Sequence, residues 1–163
     1  MKTPARLPLL LLLLLPLPAA GCSSYELATP RPPPTDAFAS PPSGLARVCV
    51  FRPHKLGFAL TTPMRDNGRL VGATKGPAYF CYFAAPGNHE LRVEVSDASP
   101  LRFSAEAGGR YFVHHEINVG SDALLFVDER EARALATRCE YQVVVGVPND
   151  EQVPLSVPLA RAQ

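Results

Sequence analysis

The sequence predicts an all-β domain: a small antiparallel β-sandwich with one short C-terminal helix. Three observations lead there. Apolar residues alternate with polar ones, as Leu91, Val93 and Val95 do with Glu90, Arg92 and Glu94, which is the period of a strand with one solvated face. Turn signals recur roughly every eight to twelve residues along the middle of the chain, the spacing of sandwich folds. Only one segment, Glu129 to Thr137, has helical character. No repeat of roughly 20–50 residues is present, so stacked-repeat architectures are excluded.

The elements follow in chain order. Lys2 and Arg6 precede a leucine-rich run from Leu7 to Leu17, and Pro18-Ala19-Ala20-Gly21 follows. A basic start, a short apolar stretch and small residues make residues 1–21 a secretory signal. The apolar run falls short of the ~20 residues that span a bilayer. Residues 22–44 contain Pro30, Pro32, Pro33, Pro34, Pro41 and Pro42. Proline fixes φ and removes the amide donor, so this stretch is expected to act as an extended spacer outside any sheet interior.

The sandwich is expected over residues 45–147. Ala46 to Arg52 is rich in β-branched and aromatic residues and is stopped by Pro53. Phe58 to Asp66 and Arg69 to Ala73 flank Asn67-Gly68, a hairpin signal because a type I′ turn needs two positive φ angles. Tyr79 to Phe83 is an aromatic strand that turns at Pro86-Gly87 into His89 to Val95. Leu101 to Glu106, Arg110 to Val119 and Ala123 to Val127 read as further strands. Asp128 is placed to cap the helix, with acids in its early turns and Arg138 just past its end. Cys139 to Val147 reads as a last strand. Residues 148–163 carry Pro148, Pro154 and Pro158 and are expected to form an extended or disordered tail.

Charge narrows the function. Removing residues 1–21 takes Lys2 and Arg6 and no acid, moving the formal charge from +1 to −1. That is no electrostatic footprint for nucleic acid. Four cysteines are present: Cys22, Cys49, Cys81 and Cys139. Export favours disulfides. With Cys22 set apart, two of Cys49, Cys81 and Cys139 form the expected bridge and one remains free. The spacing leaves all three pairings open. No pair has the short spacing of a zinc knuckle.

Cys22 directly after small residues resembles the bacterial lipoprotein signal, although Ala19 stands where that signal usually has leucine. The resemblance implies that Cys22 is lipidated and holds the chain on a membrane by acyl chains. Two or more such chains hold firmly where one binds only reversibly. Ser23 in place of aspartate implies, by the sorting rule of well-studied enteric bacteria, an outer-membrane destination facing the periplasm or the cell surface. From Ala46 to about Arg138 the chain also resembles a family of bacterial lipoprotein domains of unknown function. The matching segments are Val48-Cys49-Val50-Phe51-Arg52-Pro53, Asp66-Asn67-Gly68-Arg69-Leu70-Val71-Gly72, and Tyr79-Phe80 through Pro86-Gly87-Asn88-His89. Ala107-Gly108-Gly109-Arg110-Tyr111-Phe112 and Val127-Asp128-Glu129 continue the match. The domain is similar, too, to the PEGA type of β-sandwich. These likenesses imply a β-sandwich on a lipid anchor and no particular activity.

The candidate chemistry is sparse. His114-His115-Glu116 invites a metal site, since imidazole suits zinc, nickel or copper. Strand parity sends His114 and Glu116 to one face and His115 to the other. His115 is therefore expected as a hydrogen-bonded core residue. His114 and Glu116, with His54 or His89 as a third ligand, remain the candidate metal set. The Arg52-Pro53-His54-Lys55 cluster could meet phosphate or glycan, and Pro86-Gly87-Asn88-His89 could form a binding loop, although a tight turn needs such residues anyway. No nucleophile elbow, His-Glu-x-x-His, phosphate-binding glycine loop or Cys-x-x-Cys occurs. The expectation is a non-catalytic envelope domain without a cofactor, binding an envelope protein or glycan. The alternatives are a metal-dependent hydrolase or metal-binding protein using His114 and Glu116, and a redox-sensitive sensor built on the exported cysteines.

Overall fold

The computed structural model describes residues 25–34, 36–118 and 121–148. Eleven strands and one helix appear among them: β1 (Glu26–Ala28), β2 (Ala46–Arg52), β3 (Thr61–Asp66), β4 (Arg69–Lys75), β5 (Ala78–Ala84) and β6 (Gly87–Val93) come first. β7 (Leu101–Ala105), β8 (Arg110–Asn118), β9 (Ser121–Val127), α1 (Glu129–Ala136), β10 (Glu140–Tyr141) and β11 (Val143–Gly146) complete the order. The all-β sandwich with one short helix expected from the sequence is present. Cys22 and the tail beyond Pro148 lie outside the described residues.

One sheet has the order β10-β5-β2-β8-β9, a second has β4-β3-β6-β7, and β1 and β11 form a third of two strands. The sheets are not purely antiparallel. β2 runs parallel to β8, and β10 runs parallel to β5. A parallel neighbour needs a crossover, and the chain supplies one by building the four-stranded sheet between β2 and β8.

β2 lies at the centre of its sheet and all seven of its residues are buried. Its alternation splits the interior in two. Ala46, Val48 and Val50 face the second sheet, where they meet Met64, Phe80, Leu91 and Val113. Cys49 and Phe51 face the other way, onto a second apolar layer with Tyr79, Cys81 and Phe112 that Ala132 and Leu135 of α1 cover. The molecule therefore has three layers. Gly72 makes the close approach of the first two possible, because a Cβ there would lie 2.2 Å from the Phe80 ring. Asn67 and Gly68 adopt φ of 49° and 79° and close the β3–β4 hairpin as expected.

Three expectations are corrected. Phe58 to Leu60 is a loop rather than the start of a strand, because five oxygens around it, four of them backbone carbonyls, bind one guanidinium (below). The expected turn at Pro86-Gly87 hands the chain from the five-stranded to the four-stranded sheet, since β5 and β6 lie in different sheets. The last strand is broken at Gln142. Its side-chain amide accepts from the Lys75 N–H at 2.8 Å and donates to the Lys75 carbonyl at 3.0 Å, imitating a strand neighbour. Residues 22–44 are not all spacer. β1 pairs with β11, Ala37 is buried, and Phe38 stacks on Phe51 and Phe112. Proline bars a chain from a sheet interior but not from an edge, and the apolar residues between the prolines dock it.

Candidate functional site

The four-stranded sheet and β5 open a cleft at the end of the sandwich carrying the Asn67-Gly68 turn. Its volume is about 490 Å³, and Leu45, Leu70, Val71, Phe83 and Ala84 form its apolar wall. That volume falls within the range of small-molecule sites. Three polar side chains converge there: Asp66 ends β3, Tyr82 comes from β5 and His89 from β6. Each sits where parity turns it between the sheets, in step with Met64, Phe80 and Leu91.

The Tyr82 hydroxyl donates to Asp66 Oδ2 at 3.0 Å. His89 Nδ1 lies 2.7 Å from the same oxygen, and His89 Nε2 donates to the Ala85 carbonyl at 2.8 Å. The His89 ring also stacks on Phe103 with centroids 5.2 Å apart. Burial, with the adjacent Asp66 carboxylate, holds the Tyr82 phenol protonated far above its ordinary range. Asp66 is 6 % exposed, and its second oxygen, Oδ1, is buried without a hydrogen bond from the protein. Asn67 secures the rim by donating to the Asn88 carbonyl and accepting from the Glu90 N–H.

The arrangement can bind more readily than it can catalyse. An Asp–His pair serves as a base relay when the distal imidazole nitrogen faces a nucleophile. Here that nitrogen is committed to a backbone carbonyl. What the cleft offers is an apolar trough whose lining also includes Asn67 and Arg69. Asp66 Oδ1 is enclosed by protein and is not presented to an entering group. Sequence reasoning missed Asp66 and Tyr82. Their strands were legible, but the meeting of three strands from two sheets leaves no local pattern.

The candidate metal ligands do not assemble as a set among the described residues. His54 and His114 stack with centroids 5.7 Å apart on the helix-facing side of the five-stranded sheet. His89 lies in the cleft on its other side. Glu116 is half-buried on the same strand as His114. Among the described residues no group of three or more metal-ligating side chains comes together. Burial, reinforced by His54, lowers the His114 pKa. His115 is fully buried as expected, but neither ring nitrogen makes a hydrogen bond. Asp122 Oδ2 is the nearest charge, 3.5 Å from Nε2.

The cysteines pair as Cys49–Cys81, facing partners in the β2–β5 register. Cys139 is free, and burial pushes its thiol up to about 12. Such a thiol carries little of the reactive thiolate. Arg52, seen in the sequence as part of a surface basic cluster, is 1 % exposed. Its guanidinium donates to the carbonyls of Leu56, Gly57, Leu60 and Thr74 and to the Thr62 hydroxyl, so it fastens a loop.

No protein-family description, curated protein or solved structure matches this chain.

Proposed function

We propose that this protein is a lipid-anchored, non-catalytic binding domain of the bacterial envelope, held by acyl chains on Cys22. The observation that carries the reading is the apolar run Leu7 to Leu17 ending in Ala19-Ala20-Gly21-Cys22. A Cys49–Cys81 bridge supports it, because disulfides persist in exported compartments and rarely in the cytosol. The Asp66 cleft is the binding site of this reading. Its apolar wall and the polar side chains of Asn67 and Arg69 in its lining suit a sugar or a peptide of an envelope glycan or protein. The near-neutral charge suits neither nucleic acid nor a long anionic partner.

The test is metabolic labelling with a tagged fatty acid in an expressing bacterium. Label should enter the purified protein, and Cys22→Ala should lose it and leave the membrane fraction. An unlabelled protein, or a Cys22→Ala variant as firmly membrane-bound as its parent, overturns the anchor. For the binding role, a photo-crosslinking residue at Leu70 should trap an envelope component in intact cells. No adduct there would remove that part.

A further inference from the structure

The loop from Lys55 to Leu60 exposes three large apolar residues within five positions: Leu56 at 47 %, Phe58 at 69 % and Leu60 at 67 %. Single exposed apolar side chains are ordinary, but a contiguous group marks an interaction surface. The loop is built to hold them there. Phe58 N–H donates to the Lys55 carbonyl and Leu60 N–H to the Gly57 carbonyl, making two consecutive turns. Gly57 takes a φ of +64°, and a Cβ there would lie 3.3 Å from Arg52 Nη2. The buried Arg52 then binds the carbonyls of Leu56, Gly57 and Leu60 from beneath. The backbone polar groups are turned inward to a buried cation while the apolar side chains point to solvent.

The position of the N-terminal segment says what covers this surface. Because β1 is paired to β11 and Ala37 is buried, the chain from Tyr25 onward belongs to the domain. Only Ser23 and Ser24 separate Cys22 from it. Three residues reach at most about 10 Å, so a lipidated Cys22 holds the domain against the bilayer instead of at the end of a long tether. The attachment end reaches toward the loop. Tyr25, the described residue nearest Cys22, donates its hydroxyl to the Glu94 carboxylate, and the Glu94 N–H donates to the Pro63 carbonyl. Pro63 lies three residues beyond Leu60 in β3, the strand that the loop leads into. Exposed Lys55 and Lys75 flank the apolar tip, where ammonium groups meet phosphate headgroups and the apolar residues pass below them.

We propose that the Lys55–Leu60 loop is a membrane-seating contact, inserting Leu56, Phe58 and Leu60 into the interface of the phospholipid bilayer that carries the Cys22 anchor. The inference rests on the anchor reading above. The seating fixes the orientation of the domain on the bilayer, and with it the direction in which the Asp66 cleft faces.

The chain has no tryptophan, so one introduced residue is a clean reporter. F58W and, as a control, A107W would be made in the full-length protein. Ala107 precedes Gly108, whose N–H donates to the Leu45 carbonyl at the far end of β2 from Arg52. Each protein is purified from membranes, its mass read for acylation, and reconstituted into phosphatidylethanolamine–phosphatidylglycerol vesicles with and without brominated acyl chains. Bromolipid should quench F58W by about twofold, as for a residue seated 5–10 Å into the interface, and leave A107W unchanged. Equal quenching of both variants, or quenching of neither, overturns the seating. F58W emission shifted to the blue without bromolipid quenching also overturns it, since a protein surface then covers the loop. A mass without acyl chains removes the anchor reading itself and the seating with it.

Discussion

His115 shows at the scale of one residue how burial becomes a dependence on pH. It sits at 0 % exposure between the two sheets, where desolvation, partly offset by Asp122, pushes its imidazole down to about 4 from the ordinary 6.5. Arg52 and His114 act in the same direction as burial. Between those two pH values the unfolded chain holds a proton that the folded chain refuses. Stability present above pH 6.5 is therefore lost as pH falls toward 4, by on the order of 3 kcal/mol. Urea unfolding across this range should show the midpoint falling with acidification, and His115→Leu should remove more than half of the slope. A slope unchanged in that variant would assign the effect elsewhere. His114, lowered by burial and by its neighbour His54, contributes with the same sign. Arg52 has a different logic: it stays charged in the interior because four carbonyls and a hydroxyl surround it, and a lysine there would lack the planar fork that reaches them together.

The β2–β5 pair is the element on which the sandwich is built, and its disulfide acts through the unfolded state. Cys49 and Cys81 are separated by 32 residues and are both fully buried. Closing a loop of that length removes chain entropy worth about 3–4 kcal/mol. The joint Cys49→Ala and Cys81→Ala variant should unfold at correspondingly lower urea. Reductant alone should leave the native bridge intact, because both sulfurs are reached only when the strand pair opens; ready reduction without denaturant would contradict this placement. This strand pair was also the most legible part of the sequence. Ala46 to Arg52 and Tyr79 to Phe83 read as strands on β-branched and aromatic content, and Asn67-Gly68 fixed its hairpin through the need for positive φ. Asp128 was legible as a cap, and it does accept from the Glu131 N–H at 2.7 Å. What stayed hidden was long-range. The parallel alignment of β2 with β8, the Gln142 side chain standing in for a strand, and the cleft of Asp66, Tyr82 and His89 all depend on residues far apart in sequence. Periodicity reports only which face a residue takes, and not what arrives to meet it.

Across the whole molecule, the decisive contact joins the N-terminal segment to the helix layer. Asp36 accepts from the Phe38 N–H in a tight turn, which points Ala37 and Phe38 at the outer face of the five-stranded sheet. Phe38 lies 5.4 Å from Phe112 and 6.4 Å from Phe51, while the Arg133 guanidinium of α1 covers its ring at 4.2 Å. Arg110 ties the same point down by donating to the Phe38 carbonyl and pairing with Glu129. This small cluster decides whether the chain before Gly44 is domain or tether. Docked, the domain begins at Tyr25; released, twenty residues would extend to roughly 60 Å at the reach of a proline-rich chain. Truncating the half-buried ring should weaken the docking without touching the main core, at about 2 kcal/mol, below the cost at a fully buried site. Hydrogen exchange should then accelerate in Phe38→Ala at β1, its partner β11 and the Asp36–Ala39 turn, while β2, β5 and β8 keep their protection. If exchange in all strands accelerates together, the segment is an integral part of one cooperative unit, and the domain has no separable leash at all.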